Sequence, residues 1–132
     1  MKRIVIIEAE SIVRKHLSNL LKTEGYEVLG MFSASHEAIN LMKFEKPDLV
    51  ISSTRTKDRF DTIEMMLGSD LGRDVPVLFI TGVIDSSIIN RYQLTKPVAI
   101  LSKPIDEYLL KKTLNDLLQP VVSFNLFTNC FR

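Results

Sequence analysis

Apolar and polar residues fall along this chain in blocks, and the spacing within the blocks alternates between two periods. Arg3-Ile4-Val5-Ile6-Ile7 is short, β-branched and almost wholly apolar. Such a run marks a strand covered on both faces, as in a parallel sheet. From Ser11 to Lys22 the spacing becomes helical: Val13, Leu17, Leu20 and Leu21 share one face, and Gly25 supplies the turn that ends it. Tyr26 to Met31 is the second predicted strand. A helix opening at Ala34 or Ser35 follows, with Ala38, Ile39, Leu41 and Met42 as its apolar face, and Pro47 bars its continuation. Asp48 to Ser53 is the third strand. A charged connection, Thr54 to Asp61, leads to a helix from about Thr62 to Ser69. Val75 to Ile80 is the fourth strand, with Pro76 tolerable at its start. A short helix over Asp85 to Tyr92, a fifth strand over Val98 to Leu101 and a last helix over Ile105 to Leu118 complete the pattern. In that last helix Leu110, Leu114 and Leu117 stand at i, i+4 and i+7.

Five strands alternating with five helices predict an α/β fold, a doubly wound parallel sheet with helices on both faces. A length of 132 residues is one domain, and a chain of that size buries roughly two-thirds of its unfolded surface. The predicted domain spans residues 1–119, and residues 120–132 form a separate apolar tail. Composition narrows the function classes. The net charge is +1 and the basic residues are scattered, so no basic stripe marks a direct nucleic-acid binder. The one cysteine, Cys130, has no internal partner, which suits a reducing compartment. The first residues enter a strand at once and resemble no leader peptide. No apolar run approaches the ~18 residues of a membrane helix. Together these features predict a cytoplasmic protein with no membrane contact.

Four motifs stand at predicted strand ends. The first strand runs into Glu8-Ala9-Glu10, the third ends in Ser52-Ser53, the fourth in Thr81-Gly82, and the fifth in Ser102-Lys103-Pro104. With their spacing, residues 2 to about 118 resemble a response-regulator receiver domain, the phospho-accepting CheY-like module of two-component phosphorelay signalling. The segment Thr56 to Glu64 resembles the lengthened loop of a receiver subgroup often found beside sensor kinases, with Thr62 where that subgroup usually has glycine. The resemblance implies a flavodoxin-like sheet of order 2-1-3-4-5. It also implies an active edge that gathers an acidic pair, an acceptor aspartate, a threonine and a lysine around one magnesium ion.

Carried over residue by residue, the resemblance is mixed. Glu8 falls on the first acidic position and keeps its carboxylate, while Ala9 falls on the second, usually a metal-binding aspartate. Glu10 follows and offers a carboxylate from the helix start. Ser53 falls on the acceptor position. Thr81 and Lys103 match the family, and Ile100 stands where many receivers carry an aromatic rotameric switch. The missing groups matter chemically. Magnesium holds best to carboxylates in near-octahedral geometry, and it offsets repulsion between an acceptor anion and an incoming phosphoryl group. Ala9 supplies no ligand and Ser53 a neutral hydroxyl, so magnesium binding is expected to be weak or absent and no metal or other cofactor is assigned. A serine becomes a useful nucleophile only beside a general base. No catalytic residue is assigned, and the chain is not expected to be an enzyme. Lys103, left without an acceptor carboxylate, is expected to pair with Glu8 or Glu10, because an unpaired cation in a partly buried cleft is costly.

Two functional readings follow. One is a pseudo-receiver that binds a signalling partner, such as a sensor kinase or output domain, in one fixed conformation. Receivers commonly present the face made by the fourth helix, fifth strand and fifth helix, here Asp85 to Tyr92, Ile100 and the outer side of Ile105 to Leu118. The other is a phosphoryl-accepting regulator with altered chemistry, using Ser53 with Glu8 and Glu10. A nucleotide-binding crevice is weakly supported, since Glu8-Ala9-Glu10-Ser11 contains no glycine for a phosphate loop. His16 is expected on a rim, His36 near an exposed helix start, and Asp58 and Asp61 in a turn-forming role. Lys111 and Lys112 belong to the wet side of the last helix. The tail, with Val121, Leu126 and three phenylalanines, is too apolar for a solvated linker. It is expected to dock on its own domain, add to an edge strand, or bury in a partner or in the second copy of a homodimer, the alternative being a linker stub of a longer protein.

Overall fold

The computed structural model describes residues 1–54, 75–82 and 98–118. Five strands, β1 (Arg3–Ile7), β2 (Glu27–Phe32), β3 (Leu49–Ser53), β4 (Val77–Thr81) and β5 (Val98–Ser102), pair in the order β2-β1-β3-β4-β5. All four pairings are parallel. The described helices are α1 (Ser11–Thr23), α2 (Ser35–Met42) and α3 (Glu107–Leu118). This is the order that the resemblance to receiver domains implied. The helices predicted over residues 62–69 and 85–92, the long charged loop and the tail lie outside the described residues.

The unbroken apolar runs have a simple cause. Every residue of β3 and of β4 is buried, and successive side chains of a strand point to opposite faces. Ile4, Ile6, Leu49, Ile51, Leu78 and Ile80 therefore share one core with Leu17 and Leu21 of α1 and Leu110 and Leu114 of α3. Val5, Ile7, Val50, Val77, Phe79 and Ile100 share the other with Ala38 and Met42 of α2. Both cores need apolar residues, so no polar alternation survives in the central strands.

Helix ends explain the shifts in boundary. Asp106 Oδ1 accepts the Leu109 N–H at 3.0 Å, so Asp106 caps α3 and the helix begins at Glu107 rather than Ile105. Ile105 still packs on the first core. At the end of α1 the Tyr26 N–H reaches Leu21 O at 3.0 Å and the Gly25 N–H reaches Lys22 O at 3.1 Å. That double closure needs a left-handed residue, and Gly25 has φ 89°. The chain then enters β2 at Glu27, one residue later than the apolar pattern suggested. The β1–β2 register shifts between Ile4 and Val5, so that Ile4 faces Val28 and Val5 faces Gly30. This irregularity lets β2 run on to Phe32, whose carbonyl accepts the Glu8 N–H at 2.8 Å.

Candidate functional site

The four strand-end motifs meet at the C-terminal edge of the sheet, where open parallel α/β sheets place their ligands. Glu8 follows β1, Ser53 ends β3, Thr81 ends β4 and Lys103 follows β5. Register aligns them, with Ile7 opposite Ser52, Ser53 opposite Ile80 and Thr81 opposite Ser102. Backbone bonds then extend the sheet past its last residues: the Thr54 N–H donates to Ile80 O at 3.1 Å and the Lys103 N–H to Thr81 O at 2.8 Å. The Lys103–Pro104 peptide bond is cis. Glu8, Ser53 and Thr81 are buried, whereas Ala9 and Glu10 are exposed.

Lys103 holds the edge together. Its Nζ lies 2.9 Å from Glu8 Oε1 and 3.0 Å from Glu10 Oε1, as its expected pairing required. The contact with Glu10 is a hydrogen bond. Glu8 Oε1 is buried and lacks a directed hydrogen bond, so there the ammonium sits at ion-pair distance but off the bonding angle. Glu8 Oε2 accepts the Glu10 N–H at 2.9 Å, which curls the loop after β1 back over its own carboxylate. Burial alone would lower the Lys103 pKa. The Glu8 and Glu10 carboxylates, touching and attracting the ammonium, outweigh that and raise it above the ordinary lysine value.

Arg14, one turn into α1, completes the arrangement. Its Nη1 donates to Glu8 O at 2.7 Å and to Ala9 O at 3.4 Å. Nothing in the apolar pattern singled it out, although a long donor one turn after an acidic loop is a usable signal. Thr54 was also missed; its hydroxyl donates to Thr81 Oγ1 at 3.3 Å. Ser52 Oγ donates to Ser53 O at 2.9 Å. The strand ends thus offer hydroxyls on one side and a carboxylate–ammonium cluster on the other. Among the described residues, no three His, Cys, Asp or Glu side chains come together as a metal-holding group.

The family profile of the response regulator receiver domain matches residues 4–115. This chain belongs to that family. The receiver is 31% identical over 103 residues to the transcriptional regulatory protein PdtaR of Mycobacterium tuberculosis, a match covering 78% of this chain and 50% of that protein. It thus spans about half the length of the curated relatives it matches. Among solved structures it resembles the chemotaxis response regulator CheY4 of Vibrio cholerae, with TM-score 0.79, 21% identity, and coverage of 89% of this chain and 99% of that one. It also resembles the receiver domain of a signal transduction histidine kinase from Syntrophus aciditrophicus, with TM-score 0.76, 21% identity, and coverage of 92% and 98%. These likenesses carry the fold.

As a receiver of two-component signalling, the chain shows its departures clearly. Ile100, at the position of the aromatic switch, is a buried residue of β5. It is 4% exposed and packs with Phe79 in the second core, and the apolar side chains exposed on α3 are Tyr108 and Leu109. His16 lies on the rim as expected, with Nε2 3.2 Å from Glu107 Oε1, and His36 is exposed at the start of α2. Lys111 is exposed but not merely solvated, since its Nζ meets Glu24 Oε1 at 2.7 Å and links α3 to the end of α1. Among the described residues, no helix is long and apolar enough to cross a membrane.

Proposed function

We propose that this receiver is a pseudo-receiver, a cytoplasmic signalling module that accepts no phosphate on aspartate and works by binding a protein partner in one fixed conformation. The observation that carries the reading is the Lys103 ammonium held between Glu8 and Glu10, with neutral Ser53 ending β3. The residues present do not suit magnesium. It favours carboxylate and water oxygens in octahedral array. Here both carboxylates face a lysine ammonium, and the position between them is Ala9. Ile100 supports the fixed conformation: it is packed in the core and has no hydroxyl to signal with. The partner is a sensor kinase or an output domain. The relatives named as transcriptional regulators favour a place in a longer regulator, with this chain as its receiver part.

Magnesium and beryllofluoride titration, followed by amide NMR, tests the reading, with acetyl phosphate and mass spectrometry alongside. Beryllofluoride mimics an acyl phosphate only where a carboxylate and a metal site exist. The expected result is no saturable shift at Ser53, Thr81 and Lys103 and no added phosphate. Saturable shifts at those residues, or a phosphate mapped to Ser53, would establish altered phosphoryl chemistry instead.

A further inference from the structure

Glu8 is a carboxylate only 2% exposed, and one of its oxygens has no directed hydrogen bond. A buried carboxylate is costly unless a cation serves it. Among the described residues, the cation in ion-pair contact with it is the Lys103 ammonium. That ammonium reaches in from the far side of the site, because its own backbone is fixed to β4 through Thr81 O. The carboxylates come from the loop between β1 and α1, and the orientation of that loop is set by Arg14. With its guanidinium on Glu8 O and Ala9 O, the loop turns so that Glu8 Oε2 takes the Glu10 N–H and Glu10 Oε1 reaches Nζ. Two carboxylates and two cations interlock, and the β5 end is tied to the β1 end through charge.

We infer that this loop is a monovalent-cation site whose resident cation is the Lys103 ammonium, and that Arg14 is its positioning residue. The inference rests on the reading of the site as closed to magnesium and deepens it by naming what occupies the cation's place and what holds it there. It has a direct consequence. Truncation of Lys103 empties a site shaped for an alkylammonium, and a free alkylammonium of the missing length binds there.

The test uses the full chain and Lys103→Ala, with n-propylammonium chloride as the probe and sodium chloride at equal ionic strength as the control. Thermal midpoints are read against concentration. The expected result is a rise for Lys103→Ala that grows with the logarithm of probe concentration once the site is filled, the form ligand linkage gives, and that recovers about half or more of the lost midpoint. No such rise is expected for the wild type or for Lys103→Ala with Glu8→Gln. An identical response of the wild type and Lys103→Ala would overturn the inference.

A second readout stands if Lys103→Ala does not fold. An ammonium held by two carboxylates exchanges protons slowly, so Lys103 gives a side-chain ammonium signal in nitrogen-15 NMR. It is expected in the wild type and in Arg14→Lys, which keeps one donor for Glu8 O. It is expected to vanish in Arg14→Ala while the core amide shifts stay in place. Absence of the signal in the wild type, or its persistence in Arg14→Ala, would also overturn the inference. Failure of the pseudo-receiver reading registers separately, as a magnesium and beryllofluoride response of the wild type.

Discussion

The two contacts of Lys103 are nearly equal in length and should be very unequal in energy. At 2.9 Å the attraction to Glu8 is about 6 kcal/mol at an effective dielectric of about 20. Desolvation takes back much of it, and removing one partner of a buried pair costs about 3–5 kcal/mol, because the other charge stays buried alone. The Lys103 side chain keeps 24% of its exposure and that of Glu8 only 3%, so Lys103→Met should cost about 3 kcal/mol. The Glu10 side chain is 67% exposed, and its contact should be worth less than about 1 kcal/mol. Urea unfolding of Lys103→Met, Glu8→Gln, Glu10→Gln and the two lysine-containing double variants measures both couplings. Lys103→Met with Glu8→Gln should return to within about 1 kcal/mol of the wild type, since neither charge is then left unpaired. Additive losses from Lys103→Met and Glu8→Gln, or a Glu10→Gln loss as large as that of Glu8→Gln, would refute the reasoning.

Three further outcomes are expected. The Lys103 pKa is raised, so its contribution is fully present below the ordinary lysine value of 10.5 and lost as pH rises through the higher folded value. Tyr26, raised first by burial and then by the Glu24 charge, acts in the same direction. Unfolding midpoints should therefore fall above about pH 10, and less steeply in Lys103→Met than in the wild type. Leu114→Ala, at a position with no exposure inside the first core, should lower stability by about 2–5 kcal/mol in urea titration. Asp106→Ala removes the cap of α3 and should cost about 1 kcal/mol, read as a lower thermal midpoint with β-sheet signals unchanged.

How much of this was legible in the sequence depends on the kind of signal. The strands were visible because β1, β3 and β4 are buried on both faces, and only unbroken apolar runs satisfy that. The same property hid the direction of Ile100. A run without polar alternation does not say which side chain faces which core. The Lys103 pairing was legible because a charge that loses one partner needs another. Arg14 was not, since it acts on backbone carbonyls, and backbone acceptors leave no mark in composition. The pairing of Lys111 with Glu24 escaped for a different reason: it joins two helices far apart in the chain, and a helical wheel shows each helix alone.

The shared ammonium also constrains how this chain can change. Position 53 is 5% exposed at the edge where Glu8 and Glu10 already occupy one lysine. An aspartate introduced there by itself would add a buried negative charge, and among the described residues Lys103, the ammonium at that edge, is already shared by two carboxylates. One introduced at position 9 by itself would compete for the same ammonium. Two charge-balanced arrangements, one closed by lysine and one by a metal, are thus separated by single-step intermediates less stable than either. Passage between them is expected only through paired substitutions, so the present arrangement works as a mutational ratchet.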